Sequence, residues 1–179
     1  MNAYLLHTGK PRWVEKSPSN VRHVGLIRQL FPDALVLHCI RDGRDAVCSL
    51  VEQQWFLSRS RRVPRHVEAT IAWSHAVQRG RAWAEELGSA YREVRYEELV
   101  AEPESTIAGV LEFLGEPWED RVLEFHRYPH DWTIDGQRIE RPIGTESVGR
   151  WKRDMGPHHR LLFRLLAGRE LRRAGYSWK

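Results

Sequence analysis

The run Ala34-Leu-Val-Leu-His-Cys-Ile40 constrains the fold more than any other part of the chain. It is short and almost continuously apolar. That pattern suits a parallel strand buried on both faces, since a half-wet strand would alternate. Directly after it stands Arg41-Asp-Gly-Arg-Asp-Ala-Val-Cys-Ser49, a charged turn that opens a helix over 45–55. A strand running into a helix N-terminus gathers backbone N–H groups and a positive dipole end where an anion can sit. Arg41 leaves the carboxyl end of the strand, and Ser49 lies about two turns into the helix. A guanidinium and a hydroxyl so placed can hold one phosphate between them. The competing reading is local: Arg41 with Asp42 and Arg44 with Asp45 can simply pair with each other.

The rest of the chain supplies more elements of the same kind. Residues 12–15 read as a short strand ending in Lys16-Ser17-Pro18. Ser19-Asn20 can cap a helix over 21–31, with Val24, Ile27, Leu30 and Phe31 on one face and Pro32-Asp33 as its stop. A long helix is expected over 67–87, with Gly88 closing it. One of its stripes carries Val67, Ile71, Ser74, Val77 and Arg81, and another Trp73 and Trp83. Residues 91–96 alternate like a strand, and Glu97-Glu98-Leu99 turns. Pro103 opens a helix to Leu114, and Gly115 ends it. A short helix is expected over 119–125. Residues 126–145 have no clear period and read as a long surface loop. Residues 147–155 read as helical. Residues 157–174 read as a basic amphipathic helix with Leu161, Leu162, Leu165, Leu166 and Leu171 turned inward. Strands alternating with helices argue for one α/β domain over residues 1–179, three layers deep (αβα) around a central parallel sheet.

Composition narrows the function classes. The 179 residues are 41% hydrophobic and include eight Trp, which argues against a disordered chain. No apolar run approaches the roughly 20 residues of a membrane span. The first residues have neither the basic start nor the apolar length of a signal peptide, so a cytoplasmic protein is expected. Cys39 and Cys48 have neither redox nor zinc spacing and read as two reduced apolar side chains. No metal site is expected, because His158-His159, the closest histidine pair, points to different sides of a helix start. The net charge of +4 comes from 28 basic and 24 acidic residues that mostly interleave. The small excess suits an anionic ligand. A nucleic-acid binder lacks any recognition motif here, and no nucleic-acid partner is expected. The densest basic run, Arg59-Ser-Arg-Arg62 with Arg65, is a solvated loop or a lid over an anionic substrate.

In an open parallel sheet, ligands bind beyond the carboxyl ends of the strands. Lys16 and Arg41 both stand at such ends, so both can face one crevice. Two cations there suit a multiply phosphorylated or sulfated ligand. At this point the chain resembles a family. The stretches Trp13-Val-Glu-Lys-Ser-Pro-Ser-Asn20, Leu30-Phe-Pro-Asp-Ala34 and Ile40-Arg-Asp-Gly-Arg-Asp-Ala-Val-Cys-Ser-Leu50 closely resemble sulfotransferases that use 3′-phosphoadenosine-5′-phosphosulfate (PAPS). So do Val94-Arg-Tyr-Glu-Glu-Leu99 with Pro103-Glu104 and Phe113-Leu-Gly115, and Ser147-Val-Gly-Arg-Trp-Lys152. The likeness covers about residues 13–152, in the family's order.

The resemblance implies a P-loop-like sulfotransferase fold and roles for particular residues. Arg41 and Ser49 would clamp the 3′-phosphate of PAPS. Lys16 would neutralise charge on the phosphosulfate and its leaving oxygen. Tyr96 would lie near the adenine. The Gly-Arg-Trp-Lys stretch would bring a loop over the nucleotide, with Arg150, Lys152 and Arg153 as candidate phosphate contacts and Trp151 as a packing anchor. Sulfuryl transfer depends on in-line positioning and cationic stabilisation of the leaving phosphate, as phosphoryl transfer does. Where cytosolic relatives carry an Arg-Lys-Gly triplet, this chain has Gly144-Thr145-Glu146, so that contact is not carried over; Arg138 or Arg141 are the candidates to replace it, which spacing alone does not establish.

The family's 5′-phosphosulfate loop, a Ser-Gly-Thr-Thr-like turn, has no counterpart in the sequence. His7-Thr8-Gly9-Lys10 lacks the leading glycine and runs into Pro11. The resemblance therefore implies an N-terminally truncated form, about the C-terminal two-thirds of the family fold. No general base is assigned. Some relatives use a His where this chain has Pro18, and Glu15 and His23 read as structural. Two functions are expected in competition. One is a sulfotransferase acting on a hydroxyl or amine of a small-molecule, carbohydrate, lipid or peptide acceptor. The other is a catalytically inactive module that keeps the fold, and binds the nucleotide weakly or serves in protein interaction.

Overall fold

Val36–Ile40 forms strand β1, and Gly43–Glu52 forms the helix that comes after it across a two-residue turn. The structure, a computed structural model, describes residues 7, 9–53, 63–127, 133–134, 137–138 and 142–178. Numbered along the chain, α1 is Val24–Leu30, α2 Gly43–Glu52, α3 Arg65–Leu87, β2 Tyr91–Arg95, α4 Tyr96–Ala101, α5 Pro103–Leu114, β3 Thr133–Ile134, β4 Gln137–Arg138, α6 Trp151–Asp154 and α7 Pro157–Arg173. Gly115 ends α5 at φ 68°, a left-handed stop that glycine adopts without a Cβ clash.

β1 and β2 pair in parallel, with Val36 opposite Tyr91 and Ile40 opposite Arg95. α3 covers one face of this pair. There Gly80 meets the His38 ring so closely that a Cβ would lie 2.2 Å from it. His38 Nδ1 is 2.6 Å from the Tyr91 hydroxyl, which gives both polar groups a partner in a half-buried place. α5 lies against the other face, where its Gly109 meets the Arg92 guanidinium. Helices on both sides of a parallel pair make this an α/β fold. The main core lies between α2, α3 and α7. Val47, Ala69, Trp73, Val77, Met155, Phe163, Ala167 and Leu171 close it, with Trp151 at its edge.

Several expected elements came out differently. Residues 12–15 pair with no strand among the described residues. They run as an irregular segment held by Trp13, whose ring meets Phe31 edge-on at 5.3 Å, and by Arg12, which pairs with Glu116 beyond α5. β1 is well covered on one face and only partly on the other, where Leu37 remains 38% exposed and Cys39 is exposed, and Leu35 just before it is 39% exposed. The apolar run thus marks a strand whose second face the described residues cover only in part. Glu97-Glu98-Leu99 is helix, since the chain turns directly from β2 into α4. The helix expected over 119–125 is two short 3₁₀ turns, and the first half of 147–155 is turn. α7 buries Phe163, Ala167, Glu170 and Leu171, while Leu161, Leu165 and Leu166 face outward.

Candidate functional site

The turn that joins β1 to α2 is held at every residue. The Arg41 carbonyl accepts from the Trp73 indole N–H at 3.1 Å. The Asp42 carboxylate caps α2 by accepting the Arg44 amide at 2.9 Å, and it holds the Arg44 guanidinium from two nitrogens at 2.9 and 2.6 Å. Gly43 is there because nothing larger fits: a Cβ would stand 2.6 Å from the Trp73 ring and 2.7 Å from Phe163. Arg44 is only 3% exposed, with its guanidinium 4.0 Å from the Trp151 ring centre and 5.1 Å from that of Trp178. The Asp45 carboxylate accepts the amides of Gly149 and Trp151 at 2.7 and 2.8 Å. Burial raises the Asp45 pKa above the ordinary carboxylate value, and these two amides pull against that rise. Local pairing is therefore real for Arg44, although its partner is Asp42.

Arg41 differs from Arg44 in having no carboxylate partner among the described residues. Its guanidinium lies 4.5 Å from the centre of the Tyr96 ring, and one terminal nitrogen donates to the Ser147 carbonyl. Its Nε is buried and has no hydrogen-bond partner among the described residues; the same is true of Arg44 Nη1, but Arg44 is enclosed by Trp151 and Trp178 whereas Arg41 is half-buried. A buried donor left so is costly unless something outside the chain accepts from it. Arg41 thus presents spare donor capacity at the carboxyl end of β1, beside an aromatic ring. Ser49 stands in the second turn of α2, half-buried.

The remaining expected residues are placed less centrally. Arg150 joins α2 to α6 by pairing with Glu52 and with Asp154, the latter at 2.7 Å. Burial lowers its pKa, and these two carboxylates more than reverse that, so it stays a cation. Lys152 is exposed, its ammonium 6.0 Å from the Trp151 ring centre. Lys16 is exposed on the irregular segment before the 3₁₀ turn Pro18–Arg22. Its neighbour Glu15 accepts from Ser17 at 2.8 Å and from Asn20. The structure brings Arg41, Tyr96 and the 147–151 turn together. Arg59, Arg61, Arg62 and Arg141, and the side chain of Arg138, lie outside the described residues.

Two contributors were missed in the sequence. Glu97 accepts the Asp42 amide at 2.8 Å through one oxygen and the Tyr176 hydroxyl at 2.8 Å through the other. Trp178 returns from the chain's last residues to Arg44. Neither carries a local signal, since each contact closes a long loop of chain.

A family model described as the sulfotransferase family matches residues 2–120. The chain belongs to the sulfotransferase family. Among its relatives, an uncharacterized protein of Aquifex aeolicus is 32% identical over 154 residues, covering 83% of this chain and 20% of that protein. A protein-tyrosine sulfotransferase of Drosophila melanogaster is 27% identical over 150 residues, covering 79% of this chain and 30% of that one. The chain spans less than a third of either relative. Its fold is similar to the sulfotransferase domain from the curacin biosynthetic pathway, at TM-score 0.78 and 18% identity. That match covers 99% of this chain and 68% of the domain. The sulfotransferase domain of the Synechococcus PCC 7002 olefin synthase matches at TM-score 0.72 and 20% identity, over 99% of this chain and 64% of that one. No helix among the described residues is long and apolar enough to cross a membrane, and no group of three or more metal-ligating side chains occurs among them.

Proposed function

We propose that this sulfotransferase-family chain binds a 3′-phosphorylated adenine nucleotide at the β1–α2 turn and serves sulfuryl transfer from PAPS to an acceptor hydroxyl or amine. The observation that carries the reading is Arg41: a buried guanidinium nitrogen without a partner among the described residues, at a strand's carboxyl end, above Tyr96. Arg41 and the Ser49 hydroxyl hold the 3′-phosphate, and Tyr96 flanks the base. Lys16, on its exposed segment, supplies positive charge to the leaving phosphate. Arg150, just before α6, and Lys152 on it stand over the nucleotide, and Arg150 meets a phosphate only by exchanging Glu52 or Asp154 for it. PAPS supplies the sulfuryl group; the chain orients it and stabilises charge on the departing oxygen. The protein-tyrosine sulfotransferase relatives favour a peptide or protein acceptor, with tyrosine the first to try.

The test compares 3′-phosphoadenosine 5′-phosphate (PAP) with AMP by calorimetric titration, for wild type and Arg41→Ala. PAP should bind more tightly than AMP, and Arg41→Ala should erase that preference. Equal affinity for the two in the wild type would end the reading. A second reading, a binding module without turnover, is favoured by the exposed position of Lys16. PAP binding without sulfate transfer from PAPS to a tyrosine peptide would select it.

A further inference from the structure

The last residues of the chain return to the β1–α2 turn through an unbroken series of contacts. After α7 ends, Gly175 takes φ 81°, which lets the chain reverse over β2. The place is tight: a Cβ on Gly175 would lie 2.6 Å from an Arg95 nitrogen. Arg95 donates to the Ala174 carbonyl, and its guanidinium stands 5.0 Å from the centre of the Tyr176 ring. The Tyr176 hydroxyl then donates to Glu97 at 2.8 Å, and the other Glu97 oxygen accepts the Asp42 amide at 2.8 Å. Asp42 is the residue directly after Arg41. Tyr96, directly before Glu97, carries the ring under the Arg41 guanidinium. One carboxylate therefore ties together the two parts of the Arg41 site. It pins the backbone that aims Arg41, and it belongs to the same short helix as the ring that supports Arg41.

We propose that Tyr176 is a positioning residue for the nucleotide site, acting through Glu97 on the Asp42 amide and so on the direction of Arg41. The inference rests on the reading of Arg41 as the 3′-phosphate ligand. Tyr176 touches no substrate. It holds Glu97 to one rotamer, and a free Glu97 would swing toward water and release the Asp42 amide. The effect should fall on the 3′-phosphate alone, because it passes through Arg41.

The experiment measures PAP and AMP affinities for wild type, Tyr176→Phe, Arg41→Ala and the double variant. Tyr176→Phe keeps the ring over Arg95 and removes only the hydroxyl. It should weaken PAP by about five- to tenfold, the range of one hydrogen bond, and leave AMP unchanged. In the Arg41→Ala background the same substitution should have no effect on PAP. Glu97→Ala, the second variant, removes both acceptor oxygens and should show the same PAP-selective loss. Amide hydrogen exchange without nucleotide gives a readout independent of binding: exchange at Asp42 should rise in Tyr176→Phe. Unchanged PAP affinity and unchanged Asp42 exchange in folded Tyr176→Phe would overturn the proposal, as would equal weakening of PAP and AMP. A wild type that does not prefer PAP to AMP would instead overturn the reading of Arg41 on which the proposal stands.

Discussion

Asp45 and Trp151 lie 106 residues apart and are joined by a hydrogen bond of 2.8 Å from the Trp151 amide to the Asp45 carboxylate. The other carboxylate oxygen takes the Gly149 amide. Asp45 has no exposed surface, so water cannot replace it in either bond. Asp45→Ala leaves both amides without an acceptor. At roughly 1–3 kcal/mol for each unsatisfied group, the loss should be about 3 kcal/mol. For a chain of this size that lowers the melting temperature by about 6–12 °C. Asp45→Asn retains one acceptor and should lose less. Thermal melts followed by circular dichroism check this, and a melting point for Asp45→Ala within about 2 °C of wild type would refute the clasp.

The two arginines of the turn should separate cleanly under mutation. Arg44 is buried between Trp151 and Trp178 and neutralises Asp42, which is itself only 8% exposed. Arg44→Ala should cost about 3 kcal/mol or more, since it strands a buried carboxylate. Each arginine keeps one unpartnered buried nitrogen, but Arg41 is only half-buried and has no carboxylate partner among the described residues. Arg41→Ala should change stability by no more than about 1 kcal/mol while losing PAP at least about tenfold. Denaturant melts paired with PAP titrations decide it. A reversed pattern, with Arg44 governing affinity and Arg41 stability, would show that the wrong arginine was assigned to the phosphate.

How far the sequence can be read depends on the range of the forces involved. The strand expected over 34–40 and formed over 36–40, the turn after it, Pro103 opening α5 and Gly115 closing it are all written in adjacent residues, so they were legible. Arg41 and Tyr96 came through the family likeness, and the structure places them together. The wiring around them was not legible. Asp45 with Gly149, Glu97 with Tyr176 and Arg44 with Trp178 are contacts across long separations, and nothing local marks a partner. The burial of α7 was misread for a related reason. A leucine-rich row looks like a buried face, but Phe163, Ala167 and Leu171 have the shapes that fit beside Trp73 and against α3. Of the expected row, Leu171 is buried as read, and Leu161, Leu165 and Leu166 were left outside.

That exchange of faces on α7 is itself testable. Phe163 is fully buried, its ring 5.6 Å from that of Trp73, whereas Leu165 is 75% exposed. Phe163→Ala opens a cavity in the main core and should cost about 3–5 kcal/mol. Leu165→Ala removes an exposed side chain and should lie within about 0.5 kcal/mol of wild type. Urea unfolding of the two variants provides the comparison. Equal destabilisation by both would mean that the leucine face is covered in solution.

Acidification should unfold the protein from the side of its histidines. His66 and His159, at the starts of α3 and α7, stack with ring centres 3.4 Å apart, and His158 Nε2 lies 3.1 Å from His159 Nε2. Burial lowers the His66 pKa first, and the charges of His159, His158 and Arg65 lower it further. Burial and His158 lower that of His159. Burial also lowers His38, beside Tyr91. In the unfolded chain each histidine takes up its proton near about pH 6.5, while the folded chain does so only at lower pH. The unfolded state therefore binds more protons below about pH 6.5, and stability falls from there as pH drops through the folded values. Asp45 works in the opposite sense in a lower window, since its folded pKa lies above 3.8 and folding there takes up a proton. Melting temperatures should be level between about pH 8 and about pH 7, and lower by about pH 5.5. His66→Gln, which removes one ring of the stack, should make the decline shallower. A melting temperature that holds or rises on acidification to about pH 5.5 would show that these rings do not resist protonation in the folded chain.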